Sequence, residues 1–168
     1  MGWDKEVDYE YMFSLLSRNI RNVKRKLIKR CYDSVLLVQL RNGARISEAV
    51  AAYLQFLSNR GRRQEVFVAK HRDGTRRLIV VPEEVLACHE FASIPVDKLI
   101  HRIKNYSIRE YGINTHSLRY AFVTFLIEKG VNPVLVAKIT QHKNIRHLLT
   151  YTQQKAADQL LESLDDFM

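Results

Sequence analysis

Arg45, Lys70, His116, Arg119, His142 and Tyr151 stand out by type and position as residues that could hold an anion or move a proton. Arg45 shares a helical face with Glu48, three residues on, and His116 shares one with Arg119 at the same spacing. Each has a bland explanation when taken singly. An i, i+3 Arg–Glu pair is usually a surface ion pair, and a tyrosine on an amphipathic helix is usually core with its hydroxyl at the edge. A histidine in a turn is usually a cap or a solvated side chain. Taken together, the guanidinium, imidazole and ammonium groups are donors for an anion. A phenol, whose pKa is about 10 when unperturbed, becomes a nucleophile where nearby cations favour its phenolate.

The elements that must position these groups are legible from periodicity. Residues 9–30 read as one helix, apolar early and basic late, with 32–41 a second helix or its continuation, ended by Asn42-Gly43. Ile46, Ala49, Val50, Tyr53, Leu54 and Leu57 repeat at helical spacing over 45–57. "EVFVAK" and "RRLIVV" are β-prone runs joined by "HRDGT", a hairpin signal, and Lys70 ends the first strand. Helices are predicted at about 83–91, 96–110, 115–129, 132–141, 145–153 and 155–164. The helix of His116 carries the stripe Leu118, Ala121, Phe122, Phe125 and Leu126. The expected fold is therefore mainly α with a small antiparallel β-hairpin.

At 168 residues, nearly half of them hydrophobic, the chain fits one packed domain. The 27 Lys and Arg against 18 Asp and Glu give a net charge of +9, which attracts a polyanion without naming it. "RNIRNVKRKLIKR", residues 18–30, contains no acid, and a second basic run goes from Arg60 to Arg77. Cys31 and Cys88 are too few for a disulfide framework or a zinc site, and read as buried free thiols. No stretch is apolar for the roughly 20 residues a membrane span needs, and the charged start is no signal peptide. These features point to a reducing, intracellular setting. His89-Glu90 lacks the second histidine of His-Glu-x-x-His, so a metal hydrolase is a poor reading. His71, His89, His101 and His147 read as surface or packing residues.

The ordered pieces "GARISEAV", "VFVAKHRDGTRRLIVVP", "HSLRYAFVTFLIEKG", "QHKN" and "LLTYTQ" resemble the catalytic domain of the tyrosine recombinases, which include phage integrases and the Xer proteins. The resemblance covers roughly residues 10–155. The family's first arginine with a glutamate three on matches Arg45 and Glu48. Its hairpin lysine matches Lys70, its His-x-x-Arg matches His116 and Arg119, and its next histidine matches His142. The nucleophilic tyrosine usually follows nine residues later, where Tyr151 stands. Departures are small: Gln141 replaces a frequent glycine, and Ala69 and His71 flank the lysine, with Arg72 its nearest substitute. The family's N-terminal DNA-clamping domain has no counterpart here, so residues 1–168 are expected to be a single catalytic domain with a tail helix over 155–168.

The resemblance implies the tyrosine recombinase catalytic-domain fold and site-specific recombination of double-stranded DNA through a covalent 3′-phosphotyrosine. Arg45 and Arg119 would fork onto the phosphate oxygens. His116 would handle the proton of Tyr151, Lys70 would protonate the leaving 5′-oxygen, and His142 would bond a phosphate oxygen. Glu48 would orient the arginine side. Neither cofactor nor metal is implied. The expected partners are DNA, contacted also through Lys24, Arg25, Lys29, Arg72 and Arg76, and further copies of the chain. Those copies would form a tetramer on paired sites and could separate to monomers in isolation. The expected location is cytoplasmic, at the nucleoid or in a host cell. Relaxation alone, as in a type IB topoisomerase, and DNA binding without cleavage are the alternatives. The tail places Ala156, Leu160, Leu161, Leu164 and Phe167 near helical spacing, with acids opposite. It reads as a helix folded on its own core, packed on a neighbouring protomer, or laid acid-face down on the basic surface.

Overall fold

The computed structural model describes residues 6–68, 71, 73–142, 154 and 157–167. In chain order these give α1 (Tyr9–Arg21), α2 (Leu27–Asn42), α3 (Ile46–Asn59), β1 (Arg63–Phe67), β2 (Arg76–Val80), α4 (Val96–Tyr111), α5 (His116–Glu128) and α6 (Pro133–Thr140). A 3-10 turn covers His89–Ser93 and another Leu164–Phe167. The mainly helical architecture with a small antiparallel sheet is the one expected. β1 and β2 pair antiparallel, with Val66 opposite Arg77.

The centre of the molecule is α2. Val35, Leu36, Leu37, Val38 and Leu40 are all fully buried, so this helix is covered on every side rather than along one stripe. α1, α3, α4, α5 and β2 pack around it. A smaller cluster of Phe122, Val123, Ile127 and Val136 joins α5 to α6.

Three expectations need correction. The helix expected over residues 9–30 is broken. α1 ends at Arg21, the Asn22 side chain accepts from Lys24 N at 3.1 Å, and Arg30 Nε bonds the carbonyl of Ile20 at 2.7 Å. The chain reverses there, which lets α1 pack back along α2. Residues 82–88 are not helical, and only His89–Ser93 forms a 3-10 turn. Tertiary partners satisfy this backbone instead: Leu86 N donates to Ser34 Oγ at 3.0 Å, Tyr53 Oη donates to Leu86 O, and Cys88 N donates to Tyr53 Oη at 2.8 Å. The same packing overturns the free-thiol reading. Cys31 and Cys88 form a disulfide, their Cα atoms 6.0 Å apart across 57 residues of sequence. That bridge removes the cysteine argument for a reducing setting.

The described end of the tail is helical from 157 to 162. Leu160, Leu161, Leu164 and Phe167 are 50–73 % exposed, so these side chains are not folded on the protein's own core. No described helix is long and apolar enough to cross a membrane. The expected helix at 145–153 lies outside the described residues.

Candidate active site

The site starts at the elbow between α2 and α3. Gly43 ends α2 at φ +58, a left-handed conformation that glycine adopts without strain. A Cβ there would drive into the ring of Phe122 on α5. Glycine therefore allows both the sharp turn and the close seating of α5 against it.

Arg45 follows as the N-cap of α3. Glu48 reaches back to accept from Arg45 N at 3.2 Å and pairs with Arg45 Nη1 at 2.8 Å. Glu48 is buried, and the Arg45 side chain is 15 % exposed, so this is no solvated surface pair. Arg119 comes in from the first turn of α5. It is 1 % exposed and donates through Nη1 to Gly43 O at 2.7 Å and through Nη2 to Thr140 O at 3.1 Å. It thus clamps the α2–α3 elbow to the C-terminal end of α6.

His142 stands just beyond α6. Its Nδ1 lies 2.6 Å from the hydroxyl of Thr140, which also bonds Val136 O at 2.9 Å. This fixes the ring plane and leaves Nε2 as the nitrogen that can turn to a substrate. His116, exposed at the start of α5, sets its ring edge-on to Tyr120 at 4.7 Å. The fold therefore gathers Arg45, Glu48, Arg119 and His142, with His116 close enough to act on His142 through its charge.

The sequence reading missed Arg77. It is 4 % exposed on β2, 3.4 Å through Nη1 from Glu48 Oε1, and donates through Nη2 to Asn42 O at 2.6 Å. Asn42 docks the same strand, since its side chain accepts from Val80 N at 2.8 Å and donates to Val80 O at 2.9 Å. A signal was present: Arg77 is in phase with Ile79, on the inward face of the strand. Thr140 was also missed, and a threonine near a helix end carries no comparable signal.

The electrostatics follow from this crowding. Burial, then the field of Arg45, lowers the pKa of Arg119 to about 9; Glu48 opposes this and Arg77 adds to it. Burial likewise holds His142 down to about 3, reinforced by Arg119, Arg45, His116 and Arg77. At neutral pH the imidazole is neutral and the guanidinium groups are charged. An anion placed among them would relieve their mutual repulsion, and a site of this kind can hold a phosphate and stabilise added negative charge on its oxygens.

The remaining expected residues are placed differently. Lys70, Arg72 and Tyr151 lie outside the described residues. Lys24 is exposed in the α1–α2 turn, and Arg76 is exposed with its guanidinium 4.6 Å over the ring of Phe67. Arg25 is engaged inside the protein, by Asp33 at 3.1 Å, Glu110 at 2.9 Å and Tyr106 Oη at 2.7 Å. Lys29 pairs with the same Glu110 at 3.1 Å. The two hydroxyls of Tyr106 and Tyr111 donate to Asp33, at 2.7 and 2.6 Å. This network ties the α1–α2 turn to the end of α4, so Arg25 and Lys29 have structural partners of their own.

The sequence model of the Phage integrase family matches residues 88–158. A protein of Acidianus two-tailed virus, named "Putative integrase", is 35% identical over 98% of this chain and 69% of its own length. An uncharacterized protein of Methanocaldococcus jannaschii is 32% identical over 98% of this chain and 89% of its own. A second "Putative integrase", from the Sputnik virophage, is 28% identical over 96% of this chain and 89% of its own. No solved structure matches the chain significantly.

Proposed function

The chain belongs to the phage integrase family, and from that membership we propose that it carries out site-specific DNA recombination by cutting and rejoining strands through Tyr151. Its mainly helical fold with a two-stranded sheet is consistent with a catalytic domain of that family. The family supports recombination and DNA as the partner.

The observation that carries the reading is the burial of Arg119 beside Arg45 and Arg77. Three guanidinium groups against the single carboxylate of Glu48 form a centre short of negative charge. A DNA phosphodiester supplies that charge. In-line attack by the Tyr151 oxygen adds negative charge to the non-bridging oxygens, which Arg45 and Arg119 receive. Each such donor is worth about 2.7–4 kcal/mol in comparable oxyanion sites. The phenol proton leaves to a histidine, His116 in the first instance, and Lys70 gives a proton to the departing 5′-oxygen. His142 hydrogen-bonds a phosphate oxygen, its ring oriented by Thr140 and its basicity restored once the anion is bound. The P–O bond to the 5′-oxygen is exchanged for one to tyrosine. A 5′-hydroxyl from another strand then reverses the step and frees Tyr151.

The test is a duplex nicked just downstream of the scissile phosphate, which loses the short fragment bearing the 5′-hydroxyl on cleavage, so that the adduct accumulates, followed by a denaturing gel. The full chain should give a slower-migrating protein–DNA band, and Tyr151→Phe should give none while still binding DNA. No band from the native chain on any duplex carrying its site removes the catalytic reading and leaves DNA binding alone. A two-site assay then separates strand exchange from relaxation.

A further inference from the structure

The chemistry proposed above counts Arg77 in the charge of the centre but gives it no step, yet it is the guanidinium that shares Glu48 with Arg45. Glu48 turns Oε2 to Arg45 Nη1 at 2.8 Å and Oε1 toward Arg77 Nη1 at 3.4 Å. Oε1 also accepts from Arg45 N at 3.2 Å. Glu48 and Arg77 are 1 % and 4 % exposed, whereas the Arg45 side chain keeps 15 % of its surface open. A buried carboxylate facing one guanidinium makes a closed pair whose charges cancel. With Arg77 on its other oxygen, Glu48 is divided between two cations, and the group nearer solvent keeps a net positive field.

We propose that Arg77 is a positioning residue of the active site: it holds the inner side of Glu48 so that Arg45 is oriented toward the scissile phosphate with its charge uncancelled. It does not touch the substrate itself. This rests on the strand-cleavage reading above. A competing role also fits β2: through Asn42 O, at 2.6 Å, Arg77 helps fix the hairpin on which the sequence places Lys70. The two roles act on different atoms of the reaction. The first acts on the non-bridging oxygens, the second on the leaving oxygen.

The experiment measures single-turnover adduct formation by the full chain on matched nicked duplexes. One has a normal scissile phosphate. A second carries a methylphosphonate there, which replaces a charged non-bridging oxygen by methyl. A third carries sulfur in place of the bridging 5′-oxygen, a leaving group that needs no proton. Arg77→Met should slow the normal substrate by on the order of tenfold to a hundredfold, the usual effect of losing a group that orients a reactive one. The deficit should fall to within about threefold of the native chain on the methylphosphonate and persist on the sulfur substrate, with DNA affinity unchanged. Arg77→Lys should recover most of the rate. Arg77→Gln keeps a donor for Asn42 O, loses the charge, and carries the same prediction should Arg77→Met fail to fold. Relief on the sulfur substrate alone, an equal deficit on all three substrates, or full activity of the neutral variants would overturn the proposal. Absence of adduct from the native chain would sink the strand-cleavage reading instead.

Discussion

A guanidinium 1 % exposed, bonded to two backbone carbonyls and crowded by two others of its own charge, destabilises the free protein. An anion bound beside it would offset that cost. His142 is pushed down by burial first and then by the same charges. Its folded pKa, about 3, lies below the value near 6.5 of an unfolded histidine. The unfolded chain therefore binds the extra proton between those values. The contribution of neutral His142 to stability is complete above about pH 6.5 and is lost progressively as pH falls toward about 3. Asp33, whose carboxyl burial raises, titrates in both proteins when the native chain is compared with a variant. His142→Gln should accordingly lose less melting temperature than the native chain between pH 6.5 and pH 4. Parallel melting curves across that range would mean that His142 is not held neutral by burial and its neighbours.

At the scale of elements, the disulfide is the clearest lever. It closes a loop of 57 residues between the start of α2 and the segment before the His89–Ser93 turn. On the chain-entropy account this is worth about 4 kcal/mol, or roughly 8–16 °C in melting temperature for a chain of this size. Thermal melts with and without a reductant check this, and superimposable curves would contradict it. The helices carrying Arg45 and His116 were legible because their stripes are long, and Asn42-Gly43 marks the break before the first of them. The hairpin was legible from Asp73-Gly74. The break at Asn22 was not, because basic residues on both sides continue one helical pattern through a reversal set by tertiary packing. Residues 83–88 were misread for the same reason: Ser34, Tyr53 and Cys31, which hold them, are distant in sequence. Arg45, Glu48, Arg119 and His142 could be picked out by type and spacing, whereas Arg77 became a neighbour only when β2 docked through Asn42.

For the whole molecule, the exposed tail separates folding from function. Leu160, Leu161, Leu164 and Phe167 lie open to solvent beside Asp158, Glu162, Asp165 and Asp166, so removing them takes little from the core. A chain lacking residues 156–168 should stay folded but change in self-association, DNA affinity or adduct yield. A folded truncated chain that matches the full chain in all three would leave the tail without a functional role.

The central claim is that the cationic centre at the α2–α3 elbow presents a DNA phosphate to Tyr151, and mapping the adduct tests it most directly. The trapped complex is digested with nuclease and trypsin, and the modified peptide is sequenced by mass spectrometry. Cleavage after Arg146 and Lys155 yields the peptide 147–155, which contains Tyr151 as its single tyrosine. The expected result is a nucleotide joined through its 3′-phosphate to Tyr151, absent when Arg119 is replaced by alanine. A linkage on another peptide, such as one carrying Tyr111 or Tyr120, or a linkage through a 5′-phosphate, would contradict it.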